Sequence, residues 1–359
     1  MRIAVLTHGS SPFGAHYGRV FQALGHQVDL LSLSQVEFET PGMPYRVVGP
    51  EEFHPRATAS RLAYLRTIGP VRRAIREIRP DILLALYLSS AGLVGCLSGH
   101  PRVVVSALGS DVNTRIDRPL WRGLFRWECR RACLVHAVSE PLAETLRGRF
   151  GVDPGRILVA PIGVDTRHVT LVAPASRPNA GQVLCTRAHL PLYDQGTLVR
   201  AMARLKVRGV PARLTFTSTK EVERTRGLVR DLGVEDRVTF REGYTYEELP
   251  AVLAAADVYV SCSRSDGTSQ SLLEAMSSGL FPVVSDIPAN RPWIEDGRSG
   301  LLFPVGDDSA LAERLAEALA MPERRAAASP INRQTVLEKG DLVTGAGRMI
   351  AAFEKCLRR

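Results

Sequence analysis

Lysine is almost missing from this chain of 359 residues, with four Lys beside 42 Arg. That imbalance reads as the imprint of a GC-rich coding sequence more than as a binding requirement. The six cysteines, at 96, 129, 133, 185, 262 and 356, form no Cys-x-x-Cys pair and no secreted-type framework, so reduced thiols are expected. Cys129, Cys133 and His136 fall at i, i+4 and i+7, which reads as a buried helix face rather than a metal site. No Asp-x-Asp occurs, which weakens any scheme in which a divalent metal bridges a nucleotide diphosphate. No Gly-x-Gly-x-x-Gly occurs, so a nicotinamide or flavin enzyme is unsupported. GSSPFGAH has two suitably spaced glycines but lacks the Lys and Ser/Thr of a nucleotide triphosphate loop. A long uninterrupted apolar run is also lacking. Residues 82–101 hold no charged side chain, but Ser89, Ser90, Gly92, Gly95, Ser98 and Gly99 break them into a strand (ILLALYL), a loop and a short helix. The opening MRIAVLTHGS is too short in apolar residues for a signal peptide, and a cytoplasmic location is expected.

What is present describes an ordinary globular chain. Apolar residues make up 45% and charged residues 23%, which excludes disorder, collagen-like repeats and small disulfide scaffolds. The length suggests two domains. Residues 1–173 carry 21 basic against 14 acidic side chains, and residues 174–359 carry 25 against 23, so basicity belongs to the N-terminal half. A sequence pI near 9.6 permits nucleic-acid binding, but no RNA-binding or zinc-finger pattern supports it and none is expected. Strand-like runs alternate with helical patterns: IAVLTH, HQVDLLSL, PDILLALYL, RVVVSAL, CLVHAVS and RILVAPIGV, then again QVLCTRA, ARLTFTST, RVTFREG, ADVYVSC and FPVVSD. Such alternation predicts parallel sheets with helices on both faces. Between the two series, TRHVTLVAPASRPNAG has no helical periodicity and reads as a linker.

Ligands of open α/β sheets sit beyond the carboxyl ends of the strands. The densest candidate is residues 261–304, where strand ADVYVSCS leads through Asp266, Gly267, Thr268 and Ser269 to a helix starting near Ser269–Gln270. Free N–H groups at a helix start, with the hydroxyls of Thr268 and Ser269, suit a phosphate. Asp266 and Glu274 flank that cradle eight residues apart and suit hydroxyls, as on a sugar and a ribose either side of a diphosphate. A capped helix with two solvated carboxylates is the plainer alternative.

SLLEAMSSGLFPVVSDIP, followed by IEDGRSGLLFPVGD, closely resembles the donor-binding signature of the family-4 retaining glycosyltransferases. GHQVDLLS, PDILLALY, GSDV, AVSEPLAETL and ILVAPIGVDT resemble that family's N-terminal segments, and VLCTRAHLPLYDQGTLVRAM its first C-terminal strand and loop. The resemblance implies two Rossmann-like α/β domains facing each other across a cleft, the GT-B type. An acceptor-binding domain is expected over 1–168, a linker over 169–180 and a nucleotide-sugar-binding domain over 181–344. A closing helix over 345–359 would pack back on the first domain. It further implies that Arg187 neutralises the donor diphosphate, that Asp266 contacts the transferred sugar, and that Gly267, Thr268 and Ser269 donate to sugar and phosphate. Glu274 would hold the ribose. A loop with Gly14 and His16 would lie against acceptor and diphosphate, and Asp111 would point into the cleft.

Three departures stand out. Asp266 replaces the usual Glu, Leu192 occupies the place of an expected Lys beside Tyr193, and Leu108 replaces a His before GSD. Tyr193 is then a candidate for a hydroxyl contact. The implied reaction is metal-independent transfer of a hexosyl or N-acetylhexosaminyl group from a UDP- or GDP-linked donor to a hydroxyl, with retention. The acceptor would be a glycan, a lipid-linked glycan or a small molecule. No separate cofactor is expected. A nucleotide-sugar epimerase and a non-catalytic sugar-nucleotide-binding protein are the alternatives.

The acceptor side carries one more pattern. In PLWRGLFRWECRRA, Arg118, Arg122, Arg126 and Arg130 recur every fourth residue beside Leu120, Trp121, Leu124, Phe125 and Trp127, and Arg56 to Arg79 holds seven Arg and one acid. Either the aromatics pack inward and the arginines are solvated, or the helix rests on an anionic inner membrane surface through Arg118, Arg122, Arg126 and Trp121.

Overall fold

The computed structural model describes residues 1–36, 42–49, 62–113, 116–218 and 221–358. The chain divides into two units, one of Met1–Ile162 with Leu342–Arg359, the other Gly163–Asp341. In the first, strands β1 (Arg2–Thr7), β2 (Gln27–Ser32), β3 (Tyr45–Val47), β4 (Ile82–Leu86), β5 (Val103–Ala107), β6 (Leu134–Ala137) and β7 (Ile157–Val159) form one sheet. Its order is β3-β2-β1-β4-β5-β6-β7, and every pair is parallel. In the second unit, β8 (Gln182–Cys185), β9 (Arg213–Phe216), β10 (Val238–Phe240), β11 (Val258–Ser261), β12 (Phe281–Ser285) and β13 (Leu301–Phe303) run β10-β9-β8-β11-β12-β13, again all parallel. The near-continuous apolar runs explain this arrangement. Ile3 to Leu6, Ile82 to Leu86 and Val103 to Val105 are wholly buried, as strands covered by helices on both faces must be.

The closing helix Leu342–Leu357 belongs to the first unit. Its buried residues Leu342, Gly345, Ala346, Met349, Ile350, Phe353 and Cys356 keep a helical repeat along one face. Phe353 meets Phe21 of the helix Phe13–Ala23 edge-on at 5.9 Å. Burying one such ring stabilises the fold by about 1.5–3 kcal/mol, which accounts for a terminal helix returning to the first core.

Three details depart from expectation. The crossover between units falls after Ile162, and residues 169–180 are built into the second unit. Val169 is buried in its core, and Arg177 donates to the carbonyls of Leu253, Ala256 and Ser278, so those residues are anchored rather than free to link. Beyond β4 the chain forms a short π-helix, Tyr87–Ala91, in place of a loop, with Tyr87 at a φ of 73°. Cys129, Cys133 and His136 do not share a helix face. The helix Pro119–Arg131 ends before Cys133, and His136 lies in β6, its ring bonded to Ser106 Oγ at 2.7 Å and the Ala160 carbonyl at 2.7 Å.

Candidate active site

In the second sheet the strand order reverses between β8 and β11, the place where such sheets receive ligands. The chain leaving β8 carries Arg187, and the chain leaving β11 carries Asp266 and the start of the helix Gln270–Ser277. Arg187 Nη2 donates to Asp266 Oδ2 at 2.6 Å, with both side chains largely buried. Its Nη1 lies 3.4 Å from the hydroxyl oxygens of Ser269 and Ser271. Burial opposes charge on Arg187, but the Asp266 carboxylate beside it holds the guanidinium above its usual range. The Nε–H of Arg187 is buried with no acceptor. A donor left so costs about 1–3 kcal/mol until an acceptor arrives.

The helix start is built as its sequence foretold. Ser269 is the N-cap, its hydroxyl accepting the Leu272 N–H at 3.4 Å. Gly267 donates its N–H to Asp266 Oδ1 at 2.9 Å, which fixes the loop against the carboxylate, and Thr268 is buried. Tyr193 closes the short turn Pro191–Tyr193, with its ring 3.8 Å beneath the Arg187 guanidinium. The ring is thus a cation–π platform for Arg187. Leu192, on the same turn, accepts the Arg264 N–H through its carbonyl, and Arg264 pairs with Asp194 at 2.7 Å.

Glu274, on the second turn of the helix, is half-buried. Burial pushes its carboxyl up to about 7, against the opposing pull of Arg187 and a hydrogen bond with Gln270. The Tyr244 hydroxyl is raised by burial and by the charge of Glu274 nearby. Tyr259, which motif reading missed, lies fully buried in β11 with its hydroxyl 2.8 Å from Ser271 Oγ. Its signal was present: a tyrosine in an otherwise aliphatic buried strand needs a partner for its hydroxyl. Among the described residues, no group of three or more His, Cys, Asp or Glu side chains is placed to hold a metal.

The first unit corrects the expectation that Gly14 and His16 lie in a loop, and it gives Asp111 its partners. Asp111 does not present a free carboxylate. It is buried, Oδ1 accepting the N–H groups of Leu108 and Gly109 and Oδ2 that of Leu88, so it ties the ends of β4 and β5 together. Burial raises it to about 6, with those amides pulling the other way. Gly14 lies in the first turn of the helix Phe13–Ala23, not in a loop. A Cβ there would stand 2.4 Å from the Tyr45 hydroxyl and 2.8 Å from Thr7 Cγ2, so packing requires this glycine. His16 is half-buried on that helix, its ring 6.5 Å from Tyr17. Leu108 is buried at the end of β5.

Two doubly wound parallel sheets give the chain the α/β architecture of the solved GT-B glycosyltransferases. Residues 14–168 match the model of glycosyltransferase family 4, and residues 177–335 that of glycosyl transferases group 1. The chain belongs to the family-4 glycosyltransferases. It is 24% identical to an MMP alpha-(1->4)-mannosyltransferase of Mycolicibacterium hassiacum, over 100% of this chain and 99% of that protein. It is 28% identical to a GDP-mannose-dependent alpha-(1-6)-phosphatidylinositol monomannoside mannosyltransferase of Mycolicibacterium smegmatis, over 74% and 73%. Among solved structures, HepE of Anabaena, in complex with UDP and glucose, superposes with a TM-score of 0.80 at 17% identity, over 99% of this chain and 100% of that one.

Proposed function

We propose that the second unit binds a nucleotide-diphosphate-sugar and that the enzyme transfers the sugar to an acceptor hydroxyl with retention. The observation that carries this reading is the state of Arg187. Its guanidinium faces a helix start, rests on an aromatic ring, and has one N–H still unsatisfied. Two sources of positive potential converge there, and an oxyanion answers both. In this reading the diphosphate takes the place of Asp266 on Arg187. Asp266 is released toward the hydroxyls of the transferred sugar, and Glu274 holds the ribose diol. The acceptor attacks on the face the diphosphate leaves, and the departing phosphate oxygen takes its proton. No protein base is needed. Arg187 and the Ser269–Ser271 helix start stabilise the growing negative charge, which is where preorganised donors act most strongly. Asp111 has no part in this chemistry, and His16 is kept as an acceptor-side contact.

The mannosyltransferase relatives make GDP-mannose the first donor to try, and the UDP held by the structural neighbour makes UDP-glucose the second. Thermal melts with GDP and UDP would choose the base, because a bound ligand raises stability by mass action. Release of free nucleoside diphosphate, lost in Arg187→Ala and insensitive to EDTA, is the expected result. Anomeric configuration of the product, read by NMR, tests retention. Stabilisation without turnover would overturn transfer in favour of a binding protein, and sugar isomerised without acceptor would point to an epimerase.

A further inference from the structure

We propose that the exposed face of the helix Pro119–Arg131 docks on an anionic lipid surface, anchored by Leu120 and Trp127. The helix buries Trp121, Phe125, Glu128 and Cys129 along one side, with the rings of Trp121 and Phe125 5.8 Å apart in the core. Trp121 is only 8% exposed, so it is packing and not an anchor. The opposite side is unusual. Leu120 is 82% exposed and Trp127 40%, with half-buried Leu124 between them at i+4 and i+7. Arg122, Arg126 and Arg130 run parallel to this apolar row at i, i+4 and i+8, and Arg118 occupies the N-cap.

Among the described residues no carboxylate pairs with Arg118, Arg122, Arg126 or Arg130. The helix's single acid, Glu128, is fully buried, and the exposed acid closest in sequence is Asp117, just before the N-cap. A single exposed leucine is ordinary. An apolar row with an indole in it, laid beside an uncompensated cationic row, fits a lipid surface. Leu120 and Trp127 reach the headgroup–acyl boundary while guanidinium groups take lipid phosphates. A nucleic acid would leave the apolar row without a partner. The charge of the whole chain agrees, with its basic excess in residues 1–173. Arg56 and Arg61 of the second basic cluster lie outside the described residues.

The docking proposal does not rest on the transfer reading, since its assay reads no turnover. The full chain is sedimented with vesicles of phosphatidylcholine alone or of phosphatidylcholine with phosphatidylglycerol. It should pellet only with the second, and added salt should release it. Two variants divide the surface. Arg122→Gln/Arg126→Gln/Arg130→Gln removes the charge and keeps the apolar row, whereas Leu120→Ser/Trp127→Ser does the reverse. Each should weaken partitioning about tenfold or more with an unchanged thermal melt, since these side chains lie outside the core. Trp127→Phe should erase a lipid-induced blue shift in tryptophan emission. Failure of the wild-type chain to pellet with anionic vesicles at low salt would overturn the proposal. So would binding to heparin without binding to vesicles. Wild-type partitioning by Leu120→Ser/Trp127→Ser would also overturn it, because generic basic charge would then suffice.

Discussion

At the carboxyl edge of the first sheet, the Asp111 carboxylate is taken up by three backbone N–H groups from the ends of β4 and β5. At the carboxyl edge of the second, the Asp266 carboxylate meets Arg187 at 2.6 Å. Both are acids just beyond a parallel strand, yet they serve opposite ends. Backbone amides cannot move away, so a carboxylate satisfied by them becomes scaffold. A guanidinium pair is separable, because a second anion can take the first one's place on the cation and keep it paired. The same contrast holds for Gly14 near β1, which packing claims, and for the serines near β11, which face Arg187. Equivalent positions in two similar folds therefore differ in chemistry according to whether their partners are fixed or exchangeable.

The largest test of that contrast is Arg187→Ala. Turnover should fall about 100- to 1000-fold, the range for losing one preorganised donor to a developing oxyanion, and kcat should fall further than donor affinity. Normal kcat would remove Arg187 from the diphosphate. Next comes Asp111→Ala, which strands three buried amides and should cost about 3 kcal/mol in urea unfolding, while nucleotide binding by the folded protein stays intact. Loss of nucleotide binding without loss of stability would return Asp111 to the site and erase the distinction drawn between the two acids.

Buried titratable groups sharpen the comparison in pH. His136 is pushed down to about 4 by burial, although its bond to Ala160 pulls the other way. Its contribution is complete above its unfolded value of 6.5 and is lost as pH falls toward about 4. About 2–3 kcal/mol of acid sensitivity should follow, and His136→Gln should flatten it. Glu274 has the reverse sign. With its carboxyl raised to about 7, its contribution is complete below 4.5 and is lost as pH rises through about 7. Glu274→Gln should therefore stabilise the protein at alkaline pH by about 1 kcal/mol after allowance for solvent. The same variant should weaken nucleotide binding by about 1–3 kcal/mol if Glu274 holds the ribose. Unchanged nucleotide affinity in that variant would remove Glu274 from the site.

Local pattern was enough for the sheet class, because strands buried on both faces must be continuously apolar and parallel strands need helices between them. It was also enough for the capped start at Ser269 and the acids flanking it, since a helix start is written in a few consecutive residues. What a side chain does when its neighbours come from far along the chain was not legible. Asp111 and Asp266 read alike in sequence, and only the return of Leu88 or of Arg187 to their strand ends separates them. Trp121 and Trp127 are six residues apart in one basic run, yet the first is core and the second is surface. Periodicity places residues around a helix but does not say which side meets the sheet. Residues 169–180 look like a linker because they lack periodicity, but Arg177 finds its three carbonyls on segments about 76 to 101 residues away. Sequence by itself determined the elements, their class and the residues able to carry charge to a sheet edge. Tertiary structure alone decided which of those charges are locked to backbone and which remain exchangeable, because that depends on partners brought together only by folding.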